Sequence, residues 1–169
     1  MEINVDSGRQ KLCLIVDAQN LYYSARELYG KGSRIDFLQL REQIVGDREL
    51  GGVYSIAVTP EMREEPKALT NALKRLGYDV LVRLDHFEEQ VHQLYKVTQH
   101  YDILAVASGD GVFLPLFQRM KEANKITEAY AFVDAMSADI PKTVSKLTYL
   151  DVRVLMGEFK TLGSMLEGE

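Results

Sequence analysis

The sequence lacks the features that define several large classes of protein. Its only cysteine, Cys13, excludes an internal disulfide and fits a reducing compartment. No apolar run approaches the roughly 20 residues that a membrane span needs. The amino terminus shows no basic-then-apolar pattern of a signal peptide. These absences predict a cytoplasmic protein that does not act at a membrane.

Basic charge is also scarce. The 169 residues include 20 Lys or Arg against 25 Asp or Glu, a formal net charge of −5. Proteins that coat nucleic acid are usually basic, so this balance argues against a passive coat. The charge balance does not exclude a nuclease, because a metal-binding carboxylate cluster is itself negative and its bound cations change the local electric field. Neither GxGxxG nor GxxxxGK[ST] occurs, so a nucleotide-binding or phosphatase domain is the least favoured class.

The sequence does contain a regular alternation of strand-like and helix-like patterns. Alternation of this kind is typical of βαβ units, in which helices cover both faces of a parallel sheet. We therefore predict a single-domain, three-layer α/β/α sandwich with a mainly parallel central sheet at residues 11–155. Residues 1–10 and 156–169 are expected to form an N-terminal tail and a C-terminal helical tail. The predicted strands span residues 12–17, 53–58, 79–84, 103–107 and 129–133.

The region after the fifth predicted strand has a less regular pattern. Residues 140–147 are predicted as a short helix, in which Pro141 fits the first turn because its missing N–H costs nothing there. Residues 149–155 are predicted as an edge strand or a loop. That edge, or the apolar tail to Leu166, would allow a homodimer.

The most informative segments are two apolar runs that each end in an acidic signature. The first is LCLIVDAQN at residues 12–20, in which Asp17 and Asn20 follow a predicted buried strand. The second is ILAVASGDG at residues 103–111, which contains Asp110. In open α/β sheets, functional groups gather beyond the carboxyl ends of the strands. Carboxylates that converge there predict a hard-cation site and metal-assisted chemistry on phosphates.

Each candidate residue also has a purely structural interpretation. Asp17 and Asn20 are both favoured at helix N-termini. Ser108 is placed to donate to a phosphate oxygen, or its segment is an ordinary strand–helix junction that Asp110 caps. Asp85 follows the third predicted strand and would complete a carboxylate triad. Three such carboxylates repel one another unless a cation is bound, although Asp85 equally fits an N-cap.

These segments resemble the NYN domain family, a branch of the PIN-like nucleases that includes bacterial LabA-like proteins. The resemblance runs from about residue 11 to residue 154. It rests partly on IVDAQNL at residues 15–21, similar to a family strand that ends in D-x-x-N, and on GYDV at residues 77–80. Its most specific part is SGDGVFLPL at residues 108–116, because the family commonly shows S-G-D-x-D-F followed by a proline and a leucine.

The resemblance implies a parallel sheet between helices and RNA cleavage with a divalent metal, Mg²⁺ or Mn²⁺. Asp17 and Asp110 match the family's metal-binding carboxylates, and Asn20 matches its companion polar residue. Asp85 lies about where the family usually has the middle one of its acidic residues, although the sequence around it differs from the family's Lys-Gly-x-Asp pattern. Val112 stands where the family has a second acid and cannot bind metal. Val112 favours the alternative of a catalytically degenerate domain that binds RNA or protein in a regulatory role.

The primary hypothesis is therefore a metal-dependent ribonuclease acting on single-stranded or structured RNA. In it, Asp17, Asp85 and Asp110 hold the metal. Asn20 and Ser108 position water or phosphate.

Further substrate contacts are predicted outside the acidic signatures. Arg63 and Lys67 lie on or near one predicted helix and are candidates to meet the phosphate backbone. Such a charge run is more often a solvated helix face. Thr59 follows the second predicted strand at the same edge of the sheet and is expected to shape the cleft.

Overall fold

The fold alternates strands and helices along the chain. The computed structural model describes residues 9–57 and 66–157. Within them the strands are β1 (Lys11–Asp17), β2 (Glu49–Ala57), β3 (Asp79–Val82), β4 (Ile103–Ala107), β5 (Ile126–Ala131) and β6 (Lys146–Tyr149). The helices are α1 (Ala18–Tyr29), α2 (Phe37–Val45), α3 (Pro66–Arg75), α4 (Phe87–Gln93), α5 (Tyr95–Thr98), α6 (Leu114–Glu122) and α7 (Ile140–Thr143). Short 3₁₀ turns include Gly111–Phe113, Val133–Ala135 and Val152–Val154.

The six strands form one sheet in the order β3–β2–β1–β4–β5–β6, and every neighbouring pair is parallel. The chain begins at the centre with β1, builds outward to β3, and then returns to β4 and builds outward in the other direction. The strand order therefore reverses between β1 and β4. In open α/β sheets, this reversal point is where ligands bind.

Strand β1 is buried because its apolar side chains alternate between two cores. Leu12, Leu14 and Val16 pack on one face of the sheet with residues of α1, α2 and α3. Cys13 and Ile15 pack on the other face with residues of α4, α6 and α7. Helices thus cover both faces, and the predicted α/β/α fold class is confirmed. Burial raises the pKa of the Cys13 thiol to about 12, so Cys13 is a core residue without reactivity.

The largest departure from prediction lies at the far edge of the sheet. Residues 146–149 form β6, where we predicted the end of a helix. Of the edge strand or loop predicted at 149–155, the structure has the loop, with a 3₁₀ turn at Val152–Val154. Parallel pairing with β5, in which Ala129 lies beside Leu147, overrides the local helical pattern. The predicted C-terminal helical tail after residue 157 lies outside the described residues.

Strand β2 begins earlier than predicted because its two glycines belong to the strand. A Cβ at Gly51 would lie 2.6 Å from the ring of Tyr101, and one at Gly52 would lie 2.7 Å from the Tyr101 hydroxyl. The ring of Tyr101 therefore occupies the space that side chains at positions 51 and 52 would fill. The two glycines are explained by this close packing and not by a turn.

Among the helices of the described ranges, none combines the length and the apolar character that a bilayer crossing demands.

An ion pair joins Arg48, in the turn between α2 and β2, to the buried Glu128. Glu128 on β5 is 4% exposed. It accepts hydrogen bonds from Arg48 Nη1 at 2.6 Å and Nη2 at 2.9 Å, and from the Tyr130 hydroxyl at 2.6 Å. Burial alone would raise the pKa of Glu128, but the hydrogen bonds and charge of Arg48 and the Tyr130 hydrogen bond together lower it. The ionised form of Glu128 therefore stabilises the folded state.

We expect Glu128→Gln to lower the free energy of unfolding at pH 7 by about 2 kcal/mol, the contribution of hydrogen bonds to a charged group. Because the pKa of Glu128 is lowered by folding, its contribution is present above the unfolded-state pKa of about 4.3 and lost as the pH falls through the folded-state value. The difference between variant and wild type should therefore shrink below about pH 4 in urea unfolding curves. Glu122→Gln, at an exposed position of α6, is the control. A difference that is constant with pH would contradict the prediction.

Candidate functional site

Two acidic residues mark the carboxyl edge of the sheet where the strand order reverses. Strand β1 ends at Asp17, whose side chain caps α1 by accepting a hydrogen bond from the Asn20 backbone N–H at 3.3 Å. The loop after β4 contains Asp110, which caps the following 3₁₀ turn by accepting from the Val112 backbone N–H at 2.9 Å. The capping interpretation is therefore correct for both residues, and it leaves their remaining oxygen lone pairs for other partners.

The carboxylate of Asp17 is completely buried. Ser108 Oγ donates a hydrogen bond to Asp17 Oδ2 at 2.8 Å, and Arg83 Nη1 lies 4.0 Å from Oδ1. Burial raises the pKa of Asp17 by more than the hydrogen bonds from Ser108 and Asn20 and the charge of Arg83 lower it, and the charge of Asp110 raises it further. A buried carboxylate with such incomplete compensation is a group that a bound cation would stabilise.

Ser108 and Asn20 fasten the loop after β4 to the start of α1. Ser108 is buried, and its Oγ accepts a hydrogen bond from the Asp110 backbone N–H at 3.1 Å while donating to Asp17. The Asn20 side-chain oxygen accepts from the Gly109 backbone N–H at 3.1 Å. The geometry therefore favours a role for Ser108 in holding Asp17 over the predicted contact with a phosphate.

The loop after β5 closes over Gly109. The Ser137 backbone N–H donates to the Gly109 carbonyl at 2.8 Å. A Cβ at position 109 would lie 2.0 Å from the Ala135 carbonyl oxygen and 2.8 Å from the Met136 Cα. Glycine is therefore required here by the approach of a neighbouring backbone. From the sequence alone, Gly109 could equally have been required by a ligand that approaches the backbone closely.

A cleft of about 480 Å³ opens beside these loops, and acidic side chains dominate its lining. A second cleft of about 340 Å³ shares Asp110 and Val112 with it and reaches Pro115. Four carboxylates against one guanidinium make the first cleft negative, so a polyanion would enter it only together with cations. The first cleft is lined by Arg83, Asp85, His86, Phe87, Glu88, Glu89, Asp110 and Val112.

Arg83 is the site residue that sequence reasoning missed. Its guanidinium carbon lies 3.7 Å from the ring centroid of Phe87, and its side chain is 22% exposed. It lines the cleft and also reaches Asp17. The available signal was a cation at the end of the third predicted strand, two residues before the candidate acid Asp85.

The oxygen donors at this edge fit a hard divalent cation, because carboxylates are the ligands that Mg²⁺ and Mn²⁺ prefer. Asp85 and Asp110 share the cleft, and the charge of Asp110 acts on Asp17. Over residues 9–57 and 66–157, no three His, Cys, Asp or Glu side chains are grouped so as to hold one ion. A cation at Asp17 would lie beside Arg83, so binding there requires side chains to rearrange.

Comparison with known proteins agrees with this architecture. The profile described as NYN domain matches residues 11–152. The chain belongs to the NYN domain family. The structure of a protein of unknown function from Vibrio parahaemolyticus RIMD 2210633 is similar, with a TM-score of 0.74 and 22% sequence identity over 92% of this chain and 100% of that one. At this identity, the likeness concerns the fold alone. No match was found among curated proteins.

NYN domains form part of the PIN-like nuclease superfamily, whose members generally depend on divalent metal and act on RNA. The predicted family is thus confirmed. The resemblance described above places an acid at position 112, where this chain has Val112. Val112 lines both clefts next to Asp110, so an apolar side chain stands at the acidic edge.

Three of the predicted substrate contacts fall outside what the structure describes. Thr59 and Arg63 lie outside the described residues, and so does the side chain of Lys67 on α3. Asp134, a further acid in the turn Val133–Ala135 that follows β5, is exposed and lines neither cleft. The substrate contacts of the first three residues stay predictions.

Proposed function

We propose that this NYN domain is a metal-dependent ribonuclease that hydrolyses RNA phosphodiester bonds at its acidic cleft. One observation carries the proposal: Asp85 and Asp110 line a single cleft beside the buried Asp17, at the reversal point of the sheet. Carboxylates gathered in this way repel one another and are stabilised by cations. Family membership supports RNA as the substrate class.

In the proposed mechanism, Asp17, Asp85 and Asp110 hold Mg²⁺ or Mn²⁺. When bound, the cation supplies an acidified water and positive charge against the phosphate. Ser108 keeps the Asp17 carboxylate oriented through the 2.8 Å hydrogen bond to Oδ2. Asn20 keeps the loop that carries Asp110 in place by accepting from the Gly109 backbone N–H.

RNA binding is proposed to extend beyond the cleft. Arg63 and Lys67 would meet phosphates, and each such contact adds a salt-dependent contribution to affinity. Thr59 would shape the rim at the carboxyl end of β2. Because the cleft itself is acidic, affinity for RNA is expected to come mainly from these outlying cations.

We expect Asp110→Asn to reduce metal-dependent RNA cleavage by about 100-fold or more, because an amide cannot neutralise a divalent cation. The amide still caps the 3₁₀ turn, so the fold should be retained. The measurement is cleavage of labelled single-stranded and structured RNA in Mn²⁺, Mg²⁺ or EDTA. Asp134→Asn, an exposed position outside both clefts, is the matched control and should cleave as wild type. Cleavage that persists in EDTA, or in folded Asp110→Asn, would rule out the proposed mechanism.

A second candidate function is RNA binding without cleavage. Two observations favour it: the apolar Val112 lines the cleft where the family resemblance places an acid, and Arg83 lies 4.0 Å from Asp17. This alternative predicts RNA binding that is unchanged by EDTA, with no product formed under any metal condition. The cleavage assay above, run beside a filter-binding assay, separates the two functions.

A further inference from the structure

We infer that Arg83 is a built-in counter-ion of Asp17, which competes with a divalent cation for that carboxylate and so sets the metal concentration at which the site is loaded. The inference rests on the proposed function, because it concerns the same acidic site. It gives the positive charge of Arg83 a role in controlling metal binding, although Arg83 is not one of the proposed metal ligands.

Arg83 connects the buried carboxylate to the cleft. Its Nη1 lies 4.0 Å from Asp17 Oδ1, and the same side chain lines the cleft. Asp17 itself is 0% exposed. A cation that approaches Asp17 from the cleft therefore enters the region that the guanidinium occupies.

The guanidinium contacts an aromatic ring as well as the carboxylate. It stacks on Phe87 at 3.7 Å from the ring centroid, and Phe87 packs edge-to-face on the buried Phe113 with the centroids 6.1 Å apart. The 4.0 Å contact with Asp17 is longer than a hydrogen bond. Displacing Arg83 from Asp17 therefore breaks no hydrogen bond between them, while the stacking on Phe87 holds the guanidinium beside the carboxylate when no other cation is bound.

Charge repulsion makes the two cations mutually exclusive. A guanidinium and a divalent ion that share one carboxylate repel each other strongly, because a buried site screens charge weakly. Removing the positive charge at position 83 should therefore tighten metal binding. Replacing the arginine with lysine keeps the positive charge and should leave metal binding close to that of wild type.

A contact with substrate phosphate is the other role open to a guanidinium in this cleft. The surroundings of Arg83 argue against it in the metal-free protein, because Asp17 lies behind the guanidinium and four further carboxylates line the cleft around it. A cation in that setting pairs with protein carboxylates before it captures an anion.

The test is the Mn²⁺ affinity of the full chain, measured by isothermal titration calorimetry without RNA. We expect Arg83→Met to bind Mn²⁺ with a Kd lowered by about ten-fold, and Arg83→Lys to bind close to wild type. Arg119→Met is the matched control, because Arg119 also stacks on a ring, 3.8 Å from the Tyr95 centroid, and lines neither cleft. It should leave the Kd unchanged. Circular dichroism checks folding, and Arg83→Gln replaces Arg83→Met if the latter does not fold.

Equal or weaker Mn²⁺ binding by the folded neutral variant would overturn the inference. Unchanged Mn²⁺ affinity together with weaker RNA binding would make Arg83 a phosphate contact instead. Absence of Mn²⁺ binding in every variant would also overturn it. That last result would also count against the proposed function. Equal or weaker binding by the neutral variant, while the wild type still binds Mn²⁺, counts against the inference alone, and EDTA-resistant cleavage by the wild type counts against the proposed function alone.

Discussion

Replacing Asp17 with Asn is expected to remove metal-dependent RNA cleavage and, in the same protein, to raise the thermal stability. Cleavage should fall by about 100-fold or more, because the neutral amide loses the charge that holds the cation. The fold should survive, since Asn is as good an N-cap as Asp for α1. Its amide oxygen can accept from the Asn20 N–H, and its NH₂ can donate to Ser108 Oγ in place of the present bonds.

The gain in stability follows from the burial of a charge. Burial raises the pKa of Asp17, so the folded state favours the uncharged acid. The stability that the uncharged form contributes is present below the unfolded-state pKa of about 3.9 and is lost as the pH rises through the raised folded-state pKa. At neutral pH the wild type bears this cost and Asp17→Asn does not. In EDTA at pH 7, the melting temperature of the variant should exceed that of wild type by a few degrees, and the difference should shrink in acid.

Asp110→Asn separates the two effects. Its carboxylate is only half-buried, so this variant should lose cleavage without the gain in melting temperature. If Asp17→Asn still cleaves RNA, the metal role of Asp17 is wrong. If it melts below wild type at neutral pH, the buried charge is compensated more fully than the contacts of Asp17 indicate.

Replacing Gly109 with Ala is expected to lower the free energy of unfolding by about 3 kcal/mol or more, at the upper end of the cost of overpacking. The added Cβ would meet the Ala135 carbonyl oxygen at 2.0 Å and its carbonyl carbon at 2.5 Å. These are backbone atoms, so the loop after β5 has to move as a unit. The displacement would also disturb the hydrogen bond from the Gly109 N–H to Asn20, and cleavage should fall with stability.

Urea unfolding measures this effect. Gly32→Ala provides the control, because no atom lies within 4 Å of a Cβ placed there, and its unfolding curve should overlay that of wild type. An unfolding midpoint for Gly109→Ala equal to that of Gly32→Ala would show that the loop after β5 yields easily.

The central strands and the location of the acidic edge could be predicted from the sequence because they depend on local pattern. Runs of β-branched and small apolar residues specify strands buried on both faces, and β1 and β4 lie where those runs predicted them. Parallel strands direct their carboxyl ends to one edge, so Asp17 and Asp110 were expected near one another before any contact was known. β6 was missed because its pairing with β5 is a long-range contact that overrides a helical local pattern.

The sequence by itself determined the family, the layered α/β/α fold and the acidic residues at the ends of the central strands, since each of these depends on the order of residue types along the chain. Only the tertiary structure decided which groups touch the buried carboxylate. Ser108 donates a hydrogen bond to it, and Arg83 lies 4.0 Å from it. Contacts of this kind depend on the packing of β3, β1 and β4 in space, and no spacing along the chain encodes the 4.0 Å between Arg83 and Asp17.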